Sequence, residues 1–137
     1  MKRLLFTTVL AAATLPGLAI AGTVEVRLTG AQPGGPVMVQ LCSESEGMTR
    51  CSRNARVAVS NGMAIARFEN VPAGRYGVGA FQDVDSNGRL GFSMMGRPNE
   101  PWGYSRNAPA VMGPPNFADA AVTVGAAGGV ITVQLGL

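Results

Sequence analysis

The sequence predicts an all-β domain, a seven-stranded β-sandwich of the Greek-key type with one long ordered loop. Short runs of alternating apolar and polar residues recur along the chain, and this alternation is typical of strands with one buried face. The 19 Gly and nine Pro supply turns between these runs. No segment after residue 21 has the apolar spacing of an amphipathic helix. The chain of 137 residues has the length of one domain.

Residues 1–21 form a predicted signal peptide. A short positive segment, Met1-Lys2-Arg3, precedes an apolar run, the helix-breaking Pro16-Gly17 and the small residues Ala19-Ile20-Ala21. We expect cleavage after about Ala21, which leaves a single domain of residues 22–137. The protein is therefore expected to be periplasmic or secreted, without a later segment that is long and apolar enough to span a membrane.

The strands are predicted from period-two alternation. It is clearest in residues 23–29, where Val24, Val26 and Leu28 share one face. Asn61-Gly62 lies between two apolar runs and indicates a tight hairpin turn, since both residues tolerate positive φ. The other predicted strands cover residues 37–41, 57–59, 63–68, 75–81, 120–124 and 130–135.

The alternation stops over residues 83–116, and we predict one long ordered loop there. Loops of this length are uncommon in compact domains and are usually functional or disordered. We expect its apolar side chains to pack the loop across one end of the sandwich. Its methionines could in principle bind Cu(I), but Met without His or Cys is more typical of a side chain that fills gaps in a core. These side chains are Phe92, Met94, Met95, Trp102, Tyr104, Val111 and Met112.

Cys42 and Cys51 are the two cysteines of the chain. In an exported protein, a close pair of cysteines predicts a disulfide. Closing so short a loop contributes about 2.5–3 kcal/mol in the chain-entropy model. Eight residues lie between the two cysteines, whereas a redox-active pair usually has two, so the spacing also argues against a redox-active pair.

The composition excludes several classes of chemistry. The chain has no His, and its only Lys is Lys2, so Ser-His-Asp catalysis, histidine metal sites and Schiff-base lysines are excluded. Lys2 and Arg3 leave with the predicted signal, so nine of the 11 basic residues remain against eight acidic ones. Without a basic tract, nucleic acid is not an expected partner.

The missing His and Lys side chains remove most common catalytic groups. For this reason we expect a protein that is not an enzyme.

A calcium loop is the first candidate site. Asp83, Asp85, Asn87 and Gly88 follow the D-x-D-x-N-G pattern, in which alternate oxygen ligands converge on one ion. Met94 stands at the twelfth position, where a full EF-hand loop has Glu, so Glu100 or Asp119 would have to complete the ligand shell. The alternative is a bare turn in which Asp and Asn bond their own backbone.

Aromatic residues give the second candidate site. Trp102 and Tyr104 could form a stacking platform for a sugar or a peptide, or they could seal the long loop onto the core. Tyr76 follows Gly74-Arg75 and is predicted to be a structural tyrosine that hydrogen-bonds a corner of the sandwich.

Four segments together resemble a known family. In order, residues 68–78, 80–90, 96–105 and 113–120 are similar to the exported bacterial family of domain of unknown function 2141. The first segment also resembles the Pro-x-Gly-x-Tyr strand of prealbumin-like and Cna-B-like sandwich modules. This resemblance implies a secreted or periplasmic, prealbumin-like β-sandwich with no established activity. Members commonly have His before the first Asp and an acid after the Asn-Gly, where this chain has Gln82 and Gly91.

These observations favour a non-catalytic binding or accessory module of the cell envelope. Calcium at Asp83, Asp85, Asn87 and Glu100 would stabilise it, and a cell-envelope protein, peptide or carbohydrate would be its partner. One alternative is a purely structural or interaction protein without an ion. A less favoured alternative is a carboxylate-based glycan hydrolase that draws on Asp83, Asp85, Glu100 and Asp119.

Overall fold

The computed structural model of the protein describes residues 21–137. Apart from its last residue, the predicted signal peptide lies outside these described residues. The described part is nearly all β and forms two sheets, as the all-β prediction requires. Within it, no helix has the length and apolar character needed to cross a membrane.

Eight strands build the two sheets, one more than the seven predicted. The additional strand is β6, which lies inside the predicted long loop, and a 3₁₀ turn at Ser105–Asn107 follows it. One helical turn, α1 at Phe117–Ala120, lies where no helix was expected. The strands are β1 Ala21–Thr29, β2 Val37–Ser43, β3 Arg53–Val57, β4 Ala64–Pro72, β5 Gly74–Gln82, β6 Trp102–Tyr104, β7 Val122–Val124 and β8 Gly128–Gln134.

The first sheet has the strand order β4-β1-β8. Its central strand, β1, is antiparallel to β4 and parallel to β8, so the two ends of the described chain lie side by side. The second sheet has the order β3-β2-β5-β6, and β7 pairs with the other half of the same β5 edge. One edge of β5 therefore holds both β6, which lies inside the predicted long loop, and β7, which follows that loop.

The main core lies between the sheets. The predicted face of β1, Val24, Val26 and Leu28, is fully buried there. Burying a Val or Leu side chain stabilises the fold by about 1.5–3 kcal/mol relative to exposing it. The other sheet contributes its own alternate residues, which are Val37, Val39, Leu41, Tyr76, Val78 and Ala80.

The Asn-Gly turn forms as predicted, but its neighbours differ. Asn61 and Gly62 have φ of 52° and 74°, and the backbones of Ser60 and Met63 hydrogen-bond each other. The strand before the turn is Arg53–Val57, earlier than the predicted residues 57–59, and it pairs with β2. The turn thus leads from one sheet to the other, since local turn chemistry does not fix which sheet a strand joins.

The long loop is held mainly by backbone hydrogen bonds. Phe92 pairs with Pro98 in an isolated bridge, and the Asn99 N–H donates to the Gly91 carbonyl. The expectation that its apolar side chains pack on the sandwich is wrong for most of them, because backbone bonds hold the loop and leave its tips free. The exposed residues are Phe92, Met94, Met95, Val111 and Met112.

Candidate functional site

The long loop begins where β5 ends, and its acidic residues start with Asp83. Asp83 directly follows Gln82, and the Asp83 N–H donates to the Pro36 carbonyl at 2.8 Å. The returning chain is fixed by the Gln82 N–H, which donates to the carbonyl of Pro101 at 2.8 Å. Glu100 is the residue before Pro101, so this bond and the pairing of β5 with β6 bring Glu100 back beside Asp83.

Three of the predicted ligands converge. Ligand oxygens of Asp83, Asp85 and Glu100 lie within 4.8 Å of one another. Asp83 is 2% exposed and Glu100 is 4% exposed, whereas Asp85 faces solvent. The other acid that could have completed the shell, Asp119, lies on α1 and is exposed outside this acidic cluster.

Backbone N–H groups bind the two buried carboxylates. Asp83 Oδ1 accepts from the Asn87 N–H at 3.1 Å, and Asp83 Oδ2 accepts from the Gly88 N–H at 2.8 Å. Gly88 has a φ of 79°, a conformation that Gly adopts easily and that allows the sharp turn predicted at this position. The corresponding bonds of Glu100 run from the N–H groups of Val84, Asp85 and Gly91.

Asn87 holds the turn with its side chain. Its Oδ1 accepts from the Arg89 N–H at 2.8 Å, and its Nδ2 donates to Asp85 Oδ2 at 3.0 Å. The oxygen that was predicted to be a ligand is therefore engaged by the backbone. Met94, at the twelfth position of the pattern, projects fully into solvent away from any packing.

No basic side chain neutralises the acidic cluster within residues 21–137. The ion pairs there join Arg27 and Arg67 to Glu25, and Arg75 to Glu44. Three carboxylates thus share a small volume with N–H groups alone as partners. Hard cations such as Ca²⁺ prefer an all-oxygen set of this kind, whereas copper and zinc favour sulfur and nitrogen ligands.

Trp102 and Tyr104 form an aromatic pair on β6. Their ring centroids lie 5.8 Å apart in an edge-to-face arrangement, and both side chains are half-buried. Burial raises the pKa of the Tyr104 hydroxyl. Tyr104 also packs against a second small core of Cys42, Met48, Ala108 and Ala120, so it joins the loop to the sheet.

The disulfide prediction is confirmed, since Cys42 and Cys51 are bonded. Glu46 organises the segment between them and accepts hydrogen bonds from the Ser43 and Ser52 N–H groups at 2.9 and 2.6 Å. These bonds, the Ser43 backbone bond foremost, lower the pKa of Glu46 to about 2. The sequence gives no signal for this role beyond a Glu inside a polar loop.

Tyr76 behaves as predicted, and its hydroxyl donates to the Pro72 carbonyl at 2.7 Å. Two buried polar residues escaped the sequence reasoning. Gln82 bonds the turn between β1 and β2, and the Ser105 hydroxyl accepts from the Val78 N–H and donates to the Ala120 carbonyl. Their partners lie far away in the chain, so no local pattern marks either residue.

Comparison with known proteins gives one match. The model of an uncharacterised protein family conserved in bacteria, DUF2141, matches residues 26–132. No curated protein and no solved structure matches the chain. The family match covers both sheets, the acidic cluster and the aromatic pair. The chain therefore belongs to the bacterial DUF2141 family, as the resemblance of its motifs predicted.

Proposed function

We propose that this protein is a non-catalytic binding or accessory module of the bacterial cell envelope, stabilised by calcium at the acidic cluster. Its fold would be a variant of the Greek-key, prealbumin-like sandwich. The predicted signal peptide supports export, and the Cys42–Cys51 disulfide supports an oxidising compartment. Its partner would be a cell-envelope protein, peptide or carbohydrate.

One observation carries the calcium proposal, the convergence of Asp83, Asp85 and Glu100 without a basic partner. Carboxylates placed this close repel one another, and the ion pairs of the described residues place no basic side chain among them. A divalent cation bound between them would replace this repulsion with attraction. Calcium commonly takes six to eight oxygen ligands, so carbonyl oxygens or waters would complete the set.

The same geometry favours ligation over glycoside hydrolysis. Paired catalytic carboxylates lie about 5–5.5 Å apart in retaining enzymes and about 6.5–9.5 Å apart in inverting ones. Here the ligand oxygens lie within 4.8 Å of one another, near the retaining separation, so hydrogen bonding decides rather than distance. Backbone N–H groups engage both oxygens of Asp83 and of Glu100, which leaves neither carboxylate as an unengaged nucleophile or proton donor. Hydrolysis of an envelope glycan that is lost in Glu100→Gln would contradict a non-catalytic role.

A structural module without an ion is the second candidate. The hydrogen bonds from the N–H groups of residues 84, 85, 87, 88 and 91 close the loop by themselves. In that case the carboxylates act as caps for the loop, and calcium has no effect on stability.

Thermal unfolding in EDTA and in millimolar calcium separates these candidates. At a hundredfold excess over the dissociation constant, binding to the folded state alone adds about 2.7 kcal/mol. For a domain of this size, that raises the midpoint by several degrees. Magnesium is the control for ionic strength and for ion size.

A matched pair of variants assigns any shift to the acidic cluster. Asp85→Asn removes an exposed carboxylate from the cluster and keeps its shape, so the calcium shift should disappear. Asp119→Asn makes the same change on α1 and should keep the full shift. An absent calcium shift, or equal shifts in the two variants, would overturn the calcium proposal.

A further inference from the structure

The outer face of the second sheet, which points away from the first sheet, is only partly covered. The disulfide loop and α1 cover one part of it through the small core of Cys42, Met48, Ala108 and Ala120. Beside this cover lies an open groove of about 410 Å³. That volume falls within the ~300–1,000 Å³ range of small-molecule sites.

The floor of the groove is set by strand register. Gln40 on β2 lies between Asn54 of β3 and Gly79 of β5, and Gly79 in turn pairs with Tyr104 of β6. A Cβ at Gly79 would lie 3.0 Å from Cε1 of Tyr104, so the ring occupies the space that a side chain would need. Met38 and Phe81, which pair in register, extend the floor by one further row.

Loops form the walls of the groove. Met48 and Thr49, which lie in the disulfide loop between Cys42 and Cys51, form one wall. Leu90 and Pro114, which belong to the long loop of residues 83–116, also line the groove. None of the residues that line the groove, all within the described chain, carries a charge. A charged ligand would lose part of its hydration there without a charged partner in the lining, and this loss favours a neutral ligand.

The hydrogen-bonding groups favour hydroxyls over peptide groups. Gln40, Asn54 and Thr49 each offer donors and acceptors, as does the hydroxyl of Tyr104. The middle of the floor is formed by β2 and β5, whose backbone groups pair within the sheet, so a peptide that lies on this face cannot extend the sheet as a further strand. Sugar hydroxyls match amide side chains, and the apolar face of a pyranose ring matches an aromatic surface.

We propose that this groove binds a neutral oligosaccharide, with Tyr104 and Phe81 as its apolar contacts and Gln40 and Asn54 as its hydrogen-bonding contacts. The proposal deepens the binding-module function and rests on it. It does not require calcium, although Leu90 in the wall belongs to the same long loop as the acidic cluster.

Fluorescence titration of the full protein tests the site. Trp102 is the only Trp and its ring lies 5.8 Å from that of Tyr104, so its emission reports on occupation of the groove. The probes are the hexasaccharides of α-1,4-glucan, β-1,4-glucan, β-1,3-glucan, β-1,4-mannan and chitin at millimolar concentration. Hexagalacturonate is the acidic probe, and an uncharged, end-blocked peptide is the peptide probe.

We expect at least one neutral hexasaccharide to give saturable binding, and the acidic and peptide probes to give none. Gln40→Arg, at an exposed position of the floor, should weaken that binding roughly tenfold or more, because the longer side chain occupies the groove and the amide donor and acceptor of Gln40 are lost. Gln32→Arg is the matched control at an exposed position outside the groove and should bind like the original protein. Circular dichroism checks that both variants fold.

Other outcomes would overturn the proposal. These are no binding by any neutral hexasaccharide, preferential binding of the peptide or acidic probe, or equal losses in Gln40→Arg and Gln32→Arg. Titration in both calcium and EDTA separates this proposal from the calcium proposal. Saturable glycan binding without a calcium shift in stability would support the groove proposal and overturn the calcium proposal. A calcium shift without glycan binding would overturn the groove proposal alone.

Discussion

Gln82 shows what a single buried polar side chain does for this fold. Its side chain is fully buried, and its Oε1 accepts from the Gln32 N–H at 2.8 Å. Its Nε2 donates to the carbonyls of Gln32 and Gly35 at 2.6 and 3.1 Å. Gln82 thereby satisfies three backbone groups in the turn between β1 and β2, directly before the acidic cluster begins.

Replacing Gln82 with Leu should destabilise the protein by about 2–4 kcal/mol. The substitution keeps an apolar volume but leaves backbone donors and acceptors unsatisfied, and each such group costs about 1–3 kcal/mol. Urea unfolding measures the loss as a lower midpoint with an unchanged slope. Gln40→Leu, at an exposed position of β2, is the control and should stay within about 0.5 kcal/mol. Equal losses in the two variants would contradict the role given to Gln82.

The residue scale also separates what local pattern predicts from what it does not. Asp83, Asp85 and Gly88 lie close together because they belong to one turn of six residues, in which Asp83 accepts from the N–H groups of Asn87 and Gly88. Glu100 joins them through backbone pairing of the returning segment, which no motif encodes. The role of Gln82 depends on residues about fifty positions away and was not predictable.

The disulfide loop between β2 and β3 is the element whose stability should depend most clearly on acid. Glu46 accepts bonds from Ser43 and Ser52, and its pKa in the folded protein is about 2, below the ordinary value of 4.5. A carboxylate with a lowered pKa stabilises the fold fully above pH 4.5, and this stabilisation is lost as the pH falls from 4.5 to about 2.

Glu46→Gln should therefore lower the melting temperature at neutral pH and flatten its decline between pH 4.5 and 2. The two proteins should converge as the pH falls through about 2, the pKa at which Glu46 is half protonated in the folded state as well. Melting curves across this window measure the effect. Glu44→Gln is the control in the same loop, because its exposed ion pair with Arg75 contributes little. Parallel curves for the original protein and Glu46→Gln would contradict the prediction.

At the scale of elements, strands with long alternating runs were predictable and short ones were not. β1 and β8 were found with nearly correct bounds, since five or more alternating residues give a clear period. β6 has three residues, with Gly103 between two aromatic side chains, and its pairing with β5 defines it more than its own composition does. β3 contains Arg and Asn, so its alternation between exposed and half-buried residues is weak in the sequence.

The whole molecule closes by pairing its first described strand with its last. β1 and β8 run parallel, with Val26 opposite Ile131 and Leu28 opposite Val133. Hydrophobic alternation predicts both strands but not their pairing, because a parallel pair needs a long connection and carries no hairpin signal. Because this pair joins the first and the last described strand, the sheet order β4-β1-β8 requires both ends of the described chain.

Removing residues 130–137 should abolish cooperative folding. The deletion takes away Ile131, Val133 and Leu135, all buried in the main core. At about 1.5–3 kcal/mol each, their burial is comparable to the whole stability of a domain, about 5–15 kcal/mol. It also leaves one edge of β1 without its backbone partners.

Scanning calorimetry and near-ultraviolet circular dichroism measure this effect. The truncated chain should show no sharp unfolding transition and no fixed aromatic signal, although short-range turns such as Asn61-Gly62 would still be favoured locally. Removing Leu137 alone is the control, since its side chain is exposed, and should leave the transition nearly unchanged. If the chain without residues 130–137 kept one sharp transition, the remaining seven strands would form an independent unit and β8 would be an accessory edge.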